Sequence, residues 1–137
     1  MASEIYALIT DHTAADHYDY RDYNRVGVAV EYVAGLLNSE YGFDVTVTAK
    51  SDWAEVDILT PSDINRYLSD IQTCHDAFAQ LSSTPAAPTV MRYNVDTANA
   101  IEKILVDVVY LLYNIAHTIN LGWALGVADI GLYGGLA

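Results

Sequence analysis

At 137 residues the chain has room for one domain built round one hydrophobic core. Eighteen Asp and Glu against six Lys and Arg leave a formal charge of −12, so there is no basic stripe to grip nucleic-acid phosphate or an anionic membrane surface. The single cysteine, Cys74, excludes an intrachain disulfide framework and suits synthesis in a reducing compartment.

The hydrophobic share is 53%, high for a small domain that must cover much surface with polar groups. Part of that apolar surface is expected to meet either partner chains or lipid. Eleven Tyr stand against two Phe and two Trp, and a ring with a polar tip suits half-buried or partner-facing positions.

Residues 1–18 show no clear period and read as an N-terminal docking arm whose order depends on a neighbour. Ile5, Ala7, Leu8 and Ile9 could anchor it, and the run from Thr10 to Asp16 offers caps for one short helix. No basic n-region or long apolar stretch opens the chain, so no signal peptide is expected.

Residues 19–121 read as a helical domain. Its first helix is expected from about Arg21 to Asn38, where Val26, Ala29, Val30, Val33, Leu36 and Leu37 recur at steps of three and four. Gly27 and Gly35 each cost such a helix about 1 kcal/mol relative to Ala, a cost tolerable where a neighbouring backbone packs closely. Gly42 is placed to end it in a left-handed cap.

Phe43 to Lys50 then alternates apolar with polar, the period of a half-buried strand. Its partner would be Val56–Leu59, Thr89–Tyr93 or another subunit. A second helix is expected from Thr60-Pro61-Ser62-Asp63, with Ile64, Leu68, Ile71, Phe78 and Leu81 on its apolar face. Pro85 and Pro88 mark the loop that follows.

The third helix is expected over Asp96 to Leu121. Ile101, Ile104, Leu105, Val108, Leu112, Ile115 and Ile119 form its stripe, and from Ile104 onward apolar residues run nearly all round. Residues 122–137 make an apolar, glycine-rich C-terminal tail that water would not tolerate uncovered. Val108 to Ala128 is long enough to span a bilayer. Asn114, His117, Thr118 and Asn120 fall in its middle, however, so a protein-covered segment is the better reading.

The expected fold class is therefore mainly α: a three-helix bundle-like domain with one short β-strand or hairpin and an apolar C-terminal tail. An assembly interface is expected at Val108, Leu112, Ile115, Ile119, Trp123, Leu125, Ile130, Leu132 and Tyr133.

No group of residues reads as catalytic, cofactor-binding or metal-binding. His12, Asp16 and His17 lack a recognised ligand spacing and read as part of a solvated arm. His75 follows Cys74 directly, which points the two to different parts of a helix surface. The carboxylates of Asp11, Asp16, Asp19 and Asp22, like those of Asp52, Glu55 and Asp57, lie in stretches that look exposed or capping, unlike a glycosidase pair.

Three stretches carry a resemblance. Thr10 to Asp16 is similar to an opening "TDRTxxDV"; Tyr18 to Gly27 with Tyr32-Val33-Ala34 is similar to a "YNxxDLNRVE…YL" helix; Thr97 to Leu105 is similar to an "ANxIEKIL" helix. Together with Asp52-Trp53 and Thr60 to Asp63, these resemble proteins of tailed phages and prophages of Gram-positive gut bacteria over most of residues 10–120. The resemblance implies a non-enzymatic structural protein of the virion, located in the tail or another particle component, that contacts itself and other virion proteins. The alternative is a small phage-encoded binding protein that sequesters a host protein or signalling molecule. Asn24 and Arg25, at the start of the first helix, are expected to bond to the third helix around Asn99 and Glu102.

Overall fold

The computed structural model describes residues 3–13 and 18–125, with side chains described as far as Asn114. The fold is mainly α. A single turn, α1 (Ser3–Tyr6), precedes three longer helices, α2 (Tyr20–Tyr41), α3 (Pro61–Asp76) and α4 (Val95–Leu125). No described helix is long and apolar enough to cross a membrane.

Local chemistry fixes the helix ends. Asp19 accepts from the Arg21 amide at 2.9 Å while Asp22 accepts from the Asp19 amide at 2.7 Å, a reciprocal cap that begins α2. Gly42, at φ 72°, ends it in the left-handed conformation that favours glycine. Thr60 and Asp63 repeat the reciprocal cap on α3, with Pro61 in the first turn. Asn94 caps α4 by accepting from the Thr97 amide at 2.9 Å.

The helices α2, α3 and α4 pack on one another round a core of Val26, Val30, Val33, Leu37, Ile71, Ile101, Ile104, Leu105, Val108 and Leu112. Ile5 of α1 joins that core, so the N-terminal arm docks on its own chain. The short helix lies at Ser3–Tyr6, ahead of the capping run in which it was expected; residues 14–16, which end that run, lie outside the described residues.

Residues 43–50 correct the strand expectation. Phe43, Val45, Val47 and Ala49 do turn inward at period two, yet among the described residues there is no strand. Side chains supply the bonds that a ladder would have made. Asn38 donates to the Val45 carbonyl at 2.8 Å and accepts its amide at 2.7 Å. Asn24 does the same for Trp53, at 2.8 and 2.7 Å. A primary amide offers one donor and one acceptor side by side, like the edge of a neighbouring strand.

The extended segment thus runs back along α2, from its C-terminal end to near its start. Gly27 makes room for it: a Cβ there would stand 2.3 Å from the Lys50 carbonyl oxygen. Gly35 has no such neighbour within 4 Å, so only one of the two glycines has the expected packing reason. Asn24→Ala should cost about 1–2 kcal/mol in urea denaturation, because it strands a part-buried donor and acceptor of the segment; Asn38→Ala, whose two bonds face water, should cost about 0.5–1 kcal/mol. Deuterium uptake at Val45 or Trp53 should rise in the matching variant only.

The suggested partner segments stay unpaired. Val56 and Ile58 are each 86% exposed, and Val90 and Tyr93 are 57% and 67% exposed.

Candidate functional site

A charged side chain on the core face of α4 organises the main polar junction. Glu102 lies three residues before Leu105 and seven before Val109, both of them core positions, so helical spacing turns it inward. Its side chain is 0% exposed. An ion so placed must be paired and hydrogen-bonded, since burial strips its hydration.

Glu102 is paired throughout. Arg25 of α2 donates through Nε to Oε1 at 2.7 Å and through Nη2 to Oε2 at 3.0 Å, the two-pronged geometry a guanidinium fits best. The Ile9 amide donates to Oε1 at 2.9 Å, and the His12 ring contacts Oε2 through Nε2. Asp22 takes another Arg25 N–H at 2.7 Å. Asn99, one turn earlier on α4, accepts from the His12 amide at 2.6 Å.

The junction thus joins α2, α4 and the arm. Arg25 and Glu102 meet as the sequence suggested. Asn24 does not reach α4, because it is turned to Trp53; Asn99 reaches the arm instead of α2. His12 was expected in a solvated arm, and its side chain is only 6% exposed against Glu102. Asp16 and His17 lie outside the described residues.

Beside this junction lies a cluster of tyrosines that the sequence signalled only through its high Tyr count. The Tyr18 and Tyr67 hydroxyls share a hydrogen bond, and that of Tyr23 meets Tyr93 at 3.1 Å. The Tyr23 ring packs edge-on against Tyr18 at 5.1 Å and Tyr67 at 4.8 Å. Burial drives the phenols of Tyr18, Tyr23 and Tyr67 upward, so all three stay protonated at neutral pH. Next to them a cleft of about 400 Å³ is lined by Tyr18, Tyr20, Tyr23, Tyr93, Arg21 and Glu55, among others.

Other reactive groups are occupied. Cys74 is buried, and desolvation pushes its thiol up to about 12, which leaves little thiolate. His75 turns to Asp76 at 2.8 Å. Among the described residues no set of three His, Cys, Asp or Glu is placed to hold a metal ion. Asp52 pairs with Lys50, and Asp57 accepts from the Ala54 amide.

Asp70 of α3 is a buried acid that tethers the extended segment. It accepts from the Thr48 amide at 2.9 Å. Burial raises its carboxyl above the ordinary range, outweighing the lowering effect of the Thr48 bonds and Arg66. The native state therefore keeps a proton that the unfolded chain has already released. Asp70 withdraws stability as pH rises from the ordinary carboxylate range to its raised native value, and that stability stays lost above it. Asp70→Asn keeps an acceptor for Thr48 and removes this dependence. Thermal melts across that acid window should show the variant gaining on the parent chain as pH rises.

The expected assembly residues fall into three groups. Val108 and Leu112 are each 1% exposed and belong to the chain's own core, where α2 and α3 already cover them, so they are not free for a partner. Ile115, Ile119, Trp123 and Leu125 continue the α4 backbone beyond the described side chains. Ile130, Leu132 and Tyr133 lie outside the described residues. Tyr110 and Tyr113, 50% and 48% exposed, are the α4 aromatics that the sequence reading left off the interface. No known protein family, curated protein or solved structure matches this chain.

Proposed function

We propose that the chain is a structural subunit of a tailed-phage particle, in the tail or another virion component, that acts by contacting copies of itself and other virion proteins and performs no chemistry. In this reading the three long helices form a bundle-like body, and the far end of α4 with the tail is the adhesive part.

The observation that carries the reading is the length of α4. Its last described core residue is Leu112, yet the helix continues to Leu125, about 20 Å further at 1.5 Å per residue. That stretch and residues 126–137 are written mostly in apolar residues, which association would bury at about 25 cal/mol per Å² before its costs. The phage-like stretches fit the same role. Asn24, Arg25, Asn99 and Glu102 all spend their polar groups on holding the chain together.

Mass spectrometry of purified particles tests the setting: the chain should be a stoichiometric virion component, and its absence from particles would overturn the reading. Truncation before Gly122 should release a smaller species that keeps its helical content.

The tyrosine-lined cleft favours a second reading, a small phage-encoded protein that sequesters a host protein or signalling molecule. Such a protein would be found in the infected cytoplasm and not in particles.

A further inference from the structure

An apolar groove opens where α3 and α4 begin. This groove of about 290 Å³ is lined by Pro61, Ile64, Val90 and Tyr93, among others. Tyr93 also borders the tyrosine-lined cleft, which Glu55, Asp57 and Leu59 help to line. A lone exposed Leu or Val is ordinary; Val90 and Tyr93, 57% and 67% exposed, border one groove that Leu68 and Met91 line as well.

The other apolar surplus is the tail, which follows the last residue of α4 in the sequence. Tyr93 stands two residues before α4, and residues 126–136 follow its last residue. The 31 residues of that helix separate the two by about 45 Å. Fully extended, the seven residues from Leu125 to Leu132 reach about 25 Å. Ile130 and Leu132 therefore cannot reach the groove of their own chain.

Charge points the same way. Among the described residues Arg92, beside Tyr93, is the one Lys or Arg that pairs with no carboxylate. The tail carries a single charge, Asp129.

We propose that the groove round Val90 and Tyr93 receives the C-terminal tail of a second copy, with Ile130 and Leu132 entering it and Asp129 facing Arg92. This rests on the self-association reading and gives it a direction. The contact joins two different surfaces, so it is head-to-tail and builds a ring or a filament instead of a closed pair.

Two complementary variants test it. Val90→Asp with Tyr93→Asp spoils the groove at exposed positions; Ile130→Asp with Leu132→Asp spoils the tail. In sedimentation velocity the parent chain should form large species, and each variant alone should run at the mass of one chain. An equal mixture should run at the mass of two chains and no more, since one intact tail meets one intact groove. That recovery also shows that both variants are folded.

A groove variant that assembles as the parent does would overturn the head-to-tail contact and leave self-association standing. A mixture that stays at one chain would overturn it too. A parent chain that is itself monomeric would sink both readings.

Discussion

Arg25→Met should destabilise the chain by about 3–5 kcal/mol, the cost of leaving a buried charge without its partner. Glu102 would keep only the His12 ring and the Ile9 amide, and Asp22 would lose its cation as well. The loss should appear as a lower urea midpoint at unchanged slope. It should not stay local: amide exchange at Ile9 and His12 should accelerate, because the acceptor that holds the arm is no longer fixed. The double variant Arg25→Met with Glu102→Leu should recover part of the loss, since an apolar pair of similar volume needs no desolvation. Equal instability of the single and double variants would mean that the junction contributes packing alone.

Gly27→Ala should also destabilise, although alanine is the better helix former by about 1 kcal/mol. The new methyl would lie 2.3 Å from the Lys50 carbonyl oxygen and 3.0 Å from its carbon. Both are backbone atoms, so the extended segment must move away from α2, loosening the Asn24 clip on Trp53. A net loss of about 1–3 kcal/mol is expected, the usual range for overpacking. Gly35→Ala is the matched control. It lies in the same helix, exposed and with open space round it, and should stabilise by about 0.5–1 kcal/mol. Opposite signs in thermal melts of the two variants would tie the effect to the close approach and not to helix propensity.

These two cases mark how far the sequence could be read. Gly42 and the Thr60-Pro61 start were legible because each places one residue type in a backbone position that few others accept. The apolar spacing gave all three long helices, with ends displaced by a few residues; α4 ran on past Leu121 to Leu125. Alternation over residues 43–50 was a true signal of one-sided burial, but it does not reveal what satisfies the backbone. Asn38, Asp70 and Asn24 do so from 7, 22 and 29 positions away in the chain, and no local pattern announces them.

The ionic junction was half legible. Glu102 occupies a core register, and Arg25 was its natural counter-ion. His12 was missed because a lone histidine in an aperiodic arm carries no spacing signal, and its burial comes from the fold of the arm onto α4. Val108 and Leu112 show the converse error: an apolar stripe reads alike whether it builds a core or an interface, and only packing separates the two.

Sedimentation velocity of the full chain, from low to high micromolar concentration, weighs most directly on the claim that its apolar C-terminal end is covered by sister molecules. The expected record is a set of species at multiples of the chain mass that grows with concentration and collapses when residues 122–137 are removed. A single boundary at the mass of one chain throughout that range would contradict it.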